Sequence, residues 1–121
     1  MKQLLDVKTT SIGSLEETFL AENTLIIFNE DIPAELHNIA VLHTKCELAD
    51  PVQVGDSLML ADVEYMITAV GINANDTLAS MGHCTIKFDG ALIPELPGTI
   101  HAEKKDISVP DVDMVLQFIR K

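Results

Sequence analysis

The stretch Ser57-Leu58-Met59-Leu60-Ala61-Asp62-Val63-Glu64-Tyr65-Met66-Ile67-Thr68-Ala69-Val70 carries the pattern that decides the fold. Two apolar or alternating runs, Ser57–Leu60 and Val63–Val70, are separated by Ala61-Asp62, the spacing of a tight β-hairpin. The same rhythm continues in both directions. Short runs bounded by Gly, Pro, Asn or Asp predict further strands near Leu5–Ile12, Leu25–Asn29, Ile39–Leu48, Cys84–Phe88, Thr99–Ala102 and Met114–Ile119. Val54-Gly55-Asp56 reads as a tight connection, and Asp89-Gly90 supplies a pair suited to positive φ. About eight short strands without a long helix predict an all-β fold, a closed or nearly closed β-barrel.

Three segments interrupt the strands. Ser14-Leu15-Glu16-Glu17 matches a capping box and predicts a short helix to about Ala21. Pro33 opens a single turn through His37. Asn75 is placed to cap a helix over Asp76–Met81, with Gly82 in the position that ends it. The helices are accessories to the sheet, and residues 1–121 are expected to form one domain.

Hydrophobic residues make up 47% of the chain and aromatics only 4%, so the core must be aliphatic. With 19 acidic and 8 basic residues, the formal charge of −11 would repel a phosphate backbone, and no nucleic-acid partner is expected. The N-terminus reaches Asp6 too soon for a signal-peptide core, and no apolar run approaches membrane-spanning length. A cytoplasmic chain without direct membrane insertion is expected. Cys46 and Cys84 form neither a disulfide framework nor a zinc pattern, and no nucleotide loop, dinucleotide fingerprint or nucleophile elbow occurs. No cofactor and no metal are expected.

The reactive groups that remain are histidines. In an extended Val41-Leu42-His43-Thr44-Lys45-Cys46-Glu47-Leu48, side chains alternate. Val41, His43, Lys45 and Glu47 share one face, with Leu42, Thr44, Cys46 and Leu48 on the other. His83 falls opposite Cys84, Ile86 and Phe88, and His101 opposite Ile100 and Ala102. All three strand histidines are thus expected on polar faces, accessible to a partner and replaceable at little cost in packing. Parity separates His43 from Cys46, which disfavours a shared metal ion and leaves Cys46 as a packed thiol. A neutral imidazole has a lone pair that can attack phosphorus, and no bound nucleotide is needed if the donor is a phosphorylated protein. Residue chemistry alone leaves proton carriage, metal ligation and nucleophilic attack open.

Four segments together carry a resemblance: Val41–Leu48, Thr68-Ala69-Val70-Gly71, Gly82-His83-Cys84-Thr85-Ile86-Lys87-Phe88-Asp89-Gly90 and Leu96-Pro97-Gly98-Thr99-Ile100-His101. In that order, with Ile12-Gly13 and Ile26-Ile27-Phe28, they resemble the glucitol/sorbitol-specific IIA component of the bacterial phosphotransferase system. The resemblance implies a cytoplasmic phosphocarrier with a closed β-barrel. It would accept a phosphoryl group from the carrier protein HPr on a histidine and pass it to a IIB component of a membrane IIB/IIC transporter. That acceptor role falls on His43. Relatives carry a second His or Gly before the Glu-Leu pair, where this chain has Thr44, Lys45 and Cys46. His83, His101 and Thr44 are candidate supporting groups, with a carbonyl, Glu47 or a histidine expected to fix the acceptor's tautomer. The alternative is a non-catalytic regulatory or binding module on the same barrel.

Overall fold

Eight strands close on themselves in the computed structural model, which describes residues Met1–Lys121. In chain order the elements are β1 (Lys2–Ile12), α1 (Glu16–Ala21), β2 (Thr24–Asn29), β3 (Val41–His43), β4 (Ser57–Leu60), β5 (Val63–Val70), α2 (Ala74–Met81), β6 (Cys84–Lys87), β7 (Thr99–Ala102) and β8 (Val115–Arg120). A 3₁₀ turn covers Ala34–Leu36. Around the wall the strands run β1-β3-β2-β6-β7-β5-β4-β8. The β2/β3 and β6/β7 pairs are parallel and the others antiparallel. Parallel neighbours cannot be joined by a tight turn, so long crossovers lead from β2 to β3 and from β6 to β7.

The predicted hairpin is the β4–β5 pair, with Leu60 opposite Val63 and Ala61 at φ 52° in the turn. Alternate side chains of the wall fill the barrel: Leu25, Ile27, Val41, Leu58, Ile67, Ile86 and Ile100 are buried in one cluster with Tyr65 and Phe118. Phe28, Ala40 and Leu42 form a second cluster outside the wall. Val41 therefore points inward and Leu42 outward.

The pairing brings the ends of β2, β3 and β5 and the starts of β6 and β7 to one mouth of the barrel. Helix α2 lies there, with Ala74 and Leu78 buried in the core. The Asn75 side chain accepts from the Val52 amide at 2.7 Å and donates to the Val52 carbonyl at 3.0 Å. That use explains why Asn75 is not the cap. Asn73 takes the cap position, and Gly82 ends the helix in the left-handed conformation expected of it. At α1 the capping box does not form: Leu15 occupies the cap without a side-chain bond, and Glu16 turns inward. No helix is long and apolar enough to cross a membrane.

The strand expected over Ile39–Leu48 is confined to Val41–His43. Its parallel partner β2 stops at Asn29, opposite His43. Beyond it, bonds such as Thr44 N–H to Lys8 O and Ala49 N–H to Leu4 O tether the chain only at intervals.

Candidate functional site

His43 is the last residue of β3 and shares the inward face of Val41, so the grouping read by parity holds while the exposure expected of it does not. Its exposure is 0%. The face that carries polar letters beyond His43 is the interior of the barrel at Val41, and closure of the wall together with α2 covers it.

The imidazole is clamped by two backbone carbonyls. Nδ1 lies 2.7 Å from the Thr44 oxygen and Nε2 lies 2.8 Å from the Gly82 oxygen. Carbonyl oxygens only accept. A neutral ring carries one N–H, so it donates to one of them and presents a lone pair to the other. Thr44 is fixed to β1 through its amide, which donates to Lys8 O, and its hydroxyl, which accepts from Lys8 N–H at 3.1 Å. Gly82 is fixed by its N–H to Leu78 O at the helix end. Of the partners expected for the ring, the carbonyl is the one present; Glu47 is exposed and makes no hydrogen bond to His43.

Asn29 sits beside His43 in parallel register. Its Oδ1 is buried without a hydrogen-bond partner. A Cβ on Gly82 would overlap that oxygen and stand 2.6 Å from His43 Cε1, so Asn29, His43 and Gly82 converge within contact distance. Just outside them a cleft of about 280 Å³ is lined by Asn29, Lys45, Cys46, Glu47, Ala79 and Ser80. Lys45 is paired at 2.9 Å with Asp31, and its ammonium holds that carboxyl below the usual range. Cys46 is exposed on the cleft, not packed, because the chain has left the strand before reaching it.

Neither of the other two histidines expected in strands hydrogen-bonds to the His43 ring. His83 lies on the outer face, stacked on Phe28 with ring centroids 3.8 Å apart, and its Nδ1–H donates to Ile27 O at 3.0 Å. Desolvation pulls its pKa down, partly opposed by that bond. His101 also points outward, opposite Ile100 and Ala102, yet it is fully buried because the β6–β7 crossover lies over it. Its Nδ1–H donates to Asp89 Oδ1 at 2.9 Å and its Nε2 accepts from Glu95 N–H at 3.2 Å, which defines a neutral tautomer. Burial pushes the Asp89 carboxyl up, but bonds from His101 and Ala91 N–H outweigh it and leave its pKa lowered. His37 donates to Ile32 O at 3.0 Å and holds its own turn.

Asn29 and the Gly82 carbonyl are the parts of the site that sequence reasoning missed. In the sequence Gly82 reads as a helix terminator and as the first residue of a family motif, and Asn29 only as the polar end of an apolar run. Their meeting depends on strand order, which no local pattern discloses.

The chain matches the family described as the PTS system glucitol/sorbitol-specific IIA component over residues 4–117. It is 36% identical over 101 residues to the PTS system glucitol/sorbitol-specific EIIA components of Shigella flexneri and of Escherichia coli (strain K12), covering 84% of this chain and 82% of each of theirs. Among solved structures, a crystal structure of a PTS system IIA component from Enterococcus faecalis V583 matches with a TM-score of 0.84 at 24% identity. That match covers 96% of this chain and 100% of the other, and it supports the fold.

Proposed function

Because this chain belongs to the family of glucitol/sorbitol-specific IIA components of the phosphotransferase system, and so serves as a phosphocarrier with a phosphohistidine, we propose that His43 is the residue that carries the phosphoryl group. The donor is HPr and the onward acceptor is a IIB component, both met in the cytoplasm; residues 1–121 act as one IIA domain. The observation that carries the assignment is the His43 ring itself, clamped between two carbonyls beside a polar cleft at the barrel mouth.

Transfer needs a neutral His43 with one nitrogen free. Thr44 is the better-tied carbonyl, so Nδ1–H remains bonded to it and Nε2 is the nucleophile. Nε2 then attacks phosphorus as the Gly82 carbonyl swings aside. A new N–P bond forms while the donor's P–N bond breaks, and its electron pair returns to the donor imidazole, which takes up a proton from solvent. The His43 ring keeps its Nδ1–H in the Thr44 bond. About two negative charges now face the cleft. The Asn29 amide and the Lys45 ammonium are the donors lining it, the Ser80 hydroxyl being already bonded to Asp76 O at 2.8 Å. Lys45 is shared with Asp31, which keeps the anion site weak enough for the phosphoryl group to leave again. Thr44 thus positions the ring through its carbonyl. His83 acts at one remove, by anchoring to β2 the chain that follows Gly82, and His101 braces the crossover.

Incubation with phosphoenolpyruvate and the general phosphotransferase proteins tests the assignment. It should place one acid-labile, base-stable phosphate on the wild type and none on His43→Gln. Equal labelling of the variant would refute His43 as the acceptor, and an unlabelled wild type that still binds its partners would favour a regulatory module.

A further inference from the structure

Four large apolar side chains stand in solvent on two neighbouring segments: Ile72 at 86% exposure, between β5 and α2, and Leu92, Ile93 and Leu96 at 82%, 80% and 59%, on the β6–β7 crossover. Isolated exposed apolar residues are ordinary, but a cluster of this kind marks a contact surface. Ile72 and Leu96 meet across a cleft of about 230 Å³, with Gly71, Pro94, Glu95 and Pro97 completing its lining.

The cluster is built rigidly. Gly71 N–H donates to Thr99 O at 2.8 Å and Asn73 N–H donates to Pro97 O at 2.9 Å. A Cβ on Gly71 would stand 2.5 Å from the Leu96 oxygen, so only glycine lets the two segments approach this closely. The buried His101 pins the crossover from below through Asp89 and the Glu95 amide. A surface already held in place loses little conformational entropy when a partner lands on it.

Its position relates it to His43. The end of β5 and the start of β7 lie at the same mouth as the end of β3. Ile72 precedes α2 and Gly82 follows it, and eight helical residues span about 12 Å. A protein partner covers roughly 800 Å² on each side, a disc with a radius of about 16 Å. One footprint of that radius is wide enough to reach from the Ile72–Leu96 cluster, at one end of α2, to the cleft outside His43, at the other. Asp76 on the first turn of α2 and Glu47 on that cleft are exposed acids outside any ion pair, on a chain of net charge −11.

Resting on the acceptor role of His43, we infer that the Ile72–Leu96 cluster is the docking surface for the phosphoryl-donor protein, which presents an apolar centre flanked by basic residues. The donor is the occupant because it must recognise the unphosphorylated chain, the state in which this surface lies beside an unmodified His43. The onward acceptor meets the phosphorylated form.

The test compares the wild type with the Ile72→Ser/Leu96→Ser double variant, using phosphorylated HPr and, separately, the small donor phosphoramidate. Both side chains are exposed, so the fold should be unaffected. With HPr the variant should need at least ten-fold more donor for half-maximal rate at unchanged maximal rate, and the wild-type rate at limiting donor should fall as salt is raised. Phosphoramidate should label both proteins equally. An unchanged dependence on HPr concentration would overturn the inference, as would a defect confined to transfer from this chain to IIB. A wild type that neither donor labels on His43 would instead overturn the acceptor assignment and the inference with it.

Discussion

Gly82 holds its carbonyl 2.8 Å from His43 Nε2 from a backbone φ of +61°, so the residue that ends α2 also closes over the nitrogen proposed to carry the phosphoryl group. Only a residue without Cβ fits both demands. Positive φ costs other residues about 1–2 kcal/mol, and a methyl here would also run into Asn29 and His43. Gly82→Ala should therefore lower stability by about 2 kcal/mol or more in urea denaturation and slow phosphoryl labelling. An unchanged denaturation midpoint would show that α2 ends differently.

The burial of His43 changes what its removal means. His43→Ala leaves a void and strips two carbonyls of their ring contact, with an expected cost of about 2–4 kcal/mol. His43→Gln keeps most of the volume and one amide donor and should lose less than half as much. Thermal or urea melts of the two variants check this, and equal stabilities would place the imidazole outside the interior. Loss of labelling is decisive only in the variant that stays folded.

The two thiols should separate cleanly. Burial pushes the Cys84 thiol far up and seals it in the core, whereas Cys46 stands on the cleft outside His43. A chromogenic disulfide reagent should titrate one thiol in the native protein and the second only after denaturation. A bulky adduct on Cys46 should slow phosphorylation from HPr, and Cys46→Ser should be immune to that inhibition. Full transfer rates in the blocked wild type would place the phosphoryl path away from this cleft.

Acid should destabilise the fold partly through His83. Its folded pKa lies below its ordinary 6.5 because desolvation disfavours the charged ring. The unfolded chain therefore binds a proton that the folded chain resists. Stability from this group is present above about pH 6.5 and is lost as pH falls through the folded value. His83→Phe, which preserves a ring on Phe28, should flatten the slope of unfolding midpoint against pH below that point. Identical slopes would assign the acid sensitivity to other groups.

His101 braces the crossover from beneath, so its loss should be felt in that segment first. His101→Ala leaves the Glu95 amide without its acceptor and removes one of the two donors to Asp89 Oδ1, Ala91 N–H being the other. Limited proteolysis should then cut within residues 90–98 faster than in the wild type, and the native thermal midpoint should fall. Unchanged cleavage kinetics would mean that Gly90 N–H to Ala102 O and Thr68 Oγ1–H to Ala91 O suffice to hold the segment.

Local periodicity was enough to read the β4–β5 hairpin, the positive-φ turn at Gly90 and the end of α2 at Gly82, because each depends on a few adjacent residues. The same holds for the alternation that sets Val41 and His43 against Leu42. Helix caps were less legible: Asn75 serves Val52 from a distant segment, and Ser14 is bypassed by a helix that starts at Glu16. Four ordered motifs sufficed to point to the glucitol/sorbitol IIA family, and it is that resemblance which makes His43 the proposed acceptor among the histidines. Which face of a strand is inside, however, depends on how the sheet closes, and closure is long-range. It buried His43 under α2, covered His101 with a crossover, left His83 half-exposed against Phe28 and turned Cys46 into solvent. The sequence by itself thus determined the elements and the family. The order β1-β3-β2-β6-β7-β5-β4-β8 decided that Asn29, Gly82 and His43 share one mouth, since strand neighbours are chosen by packing across the whole barrel and not by the residues next in line.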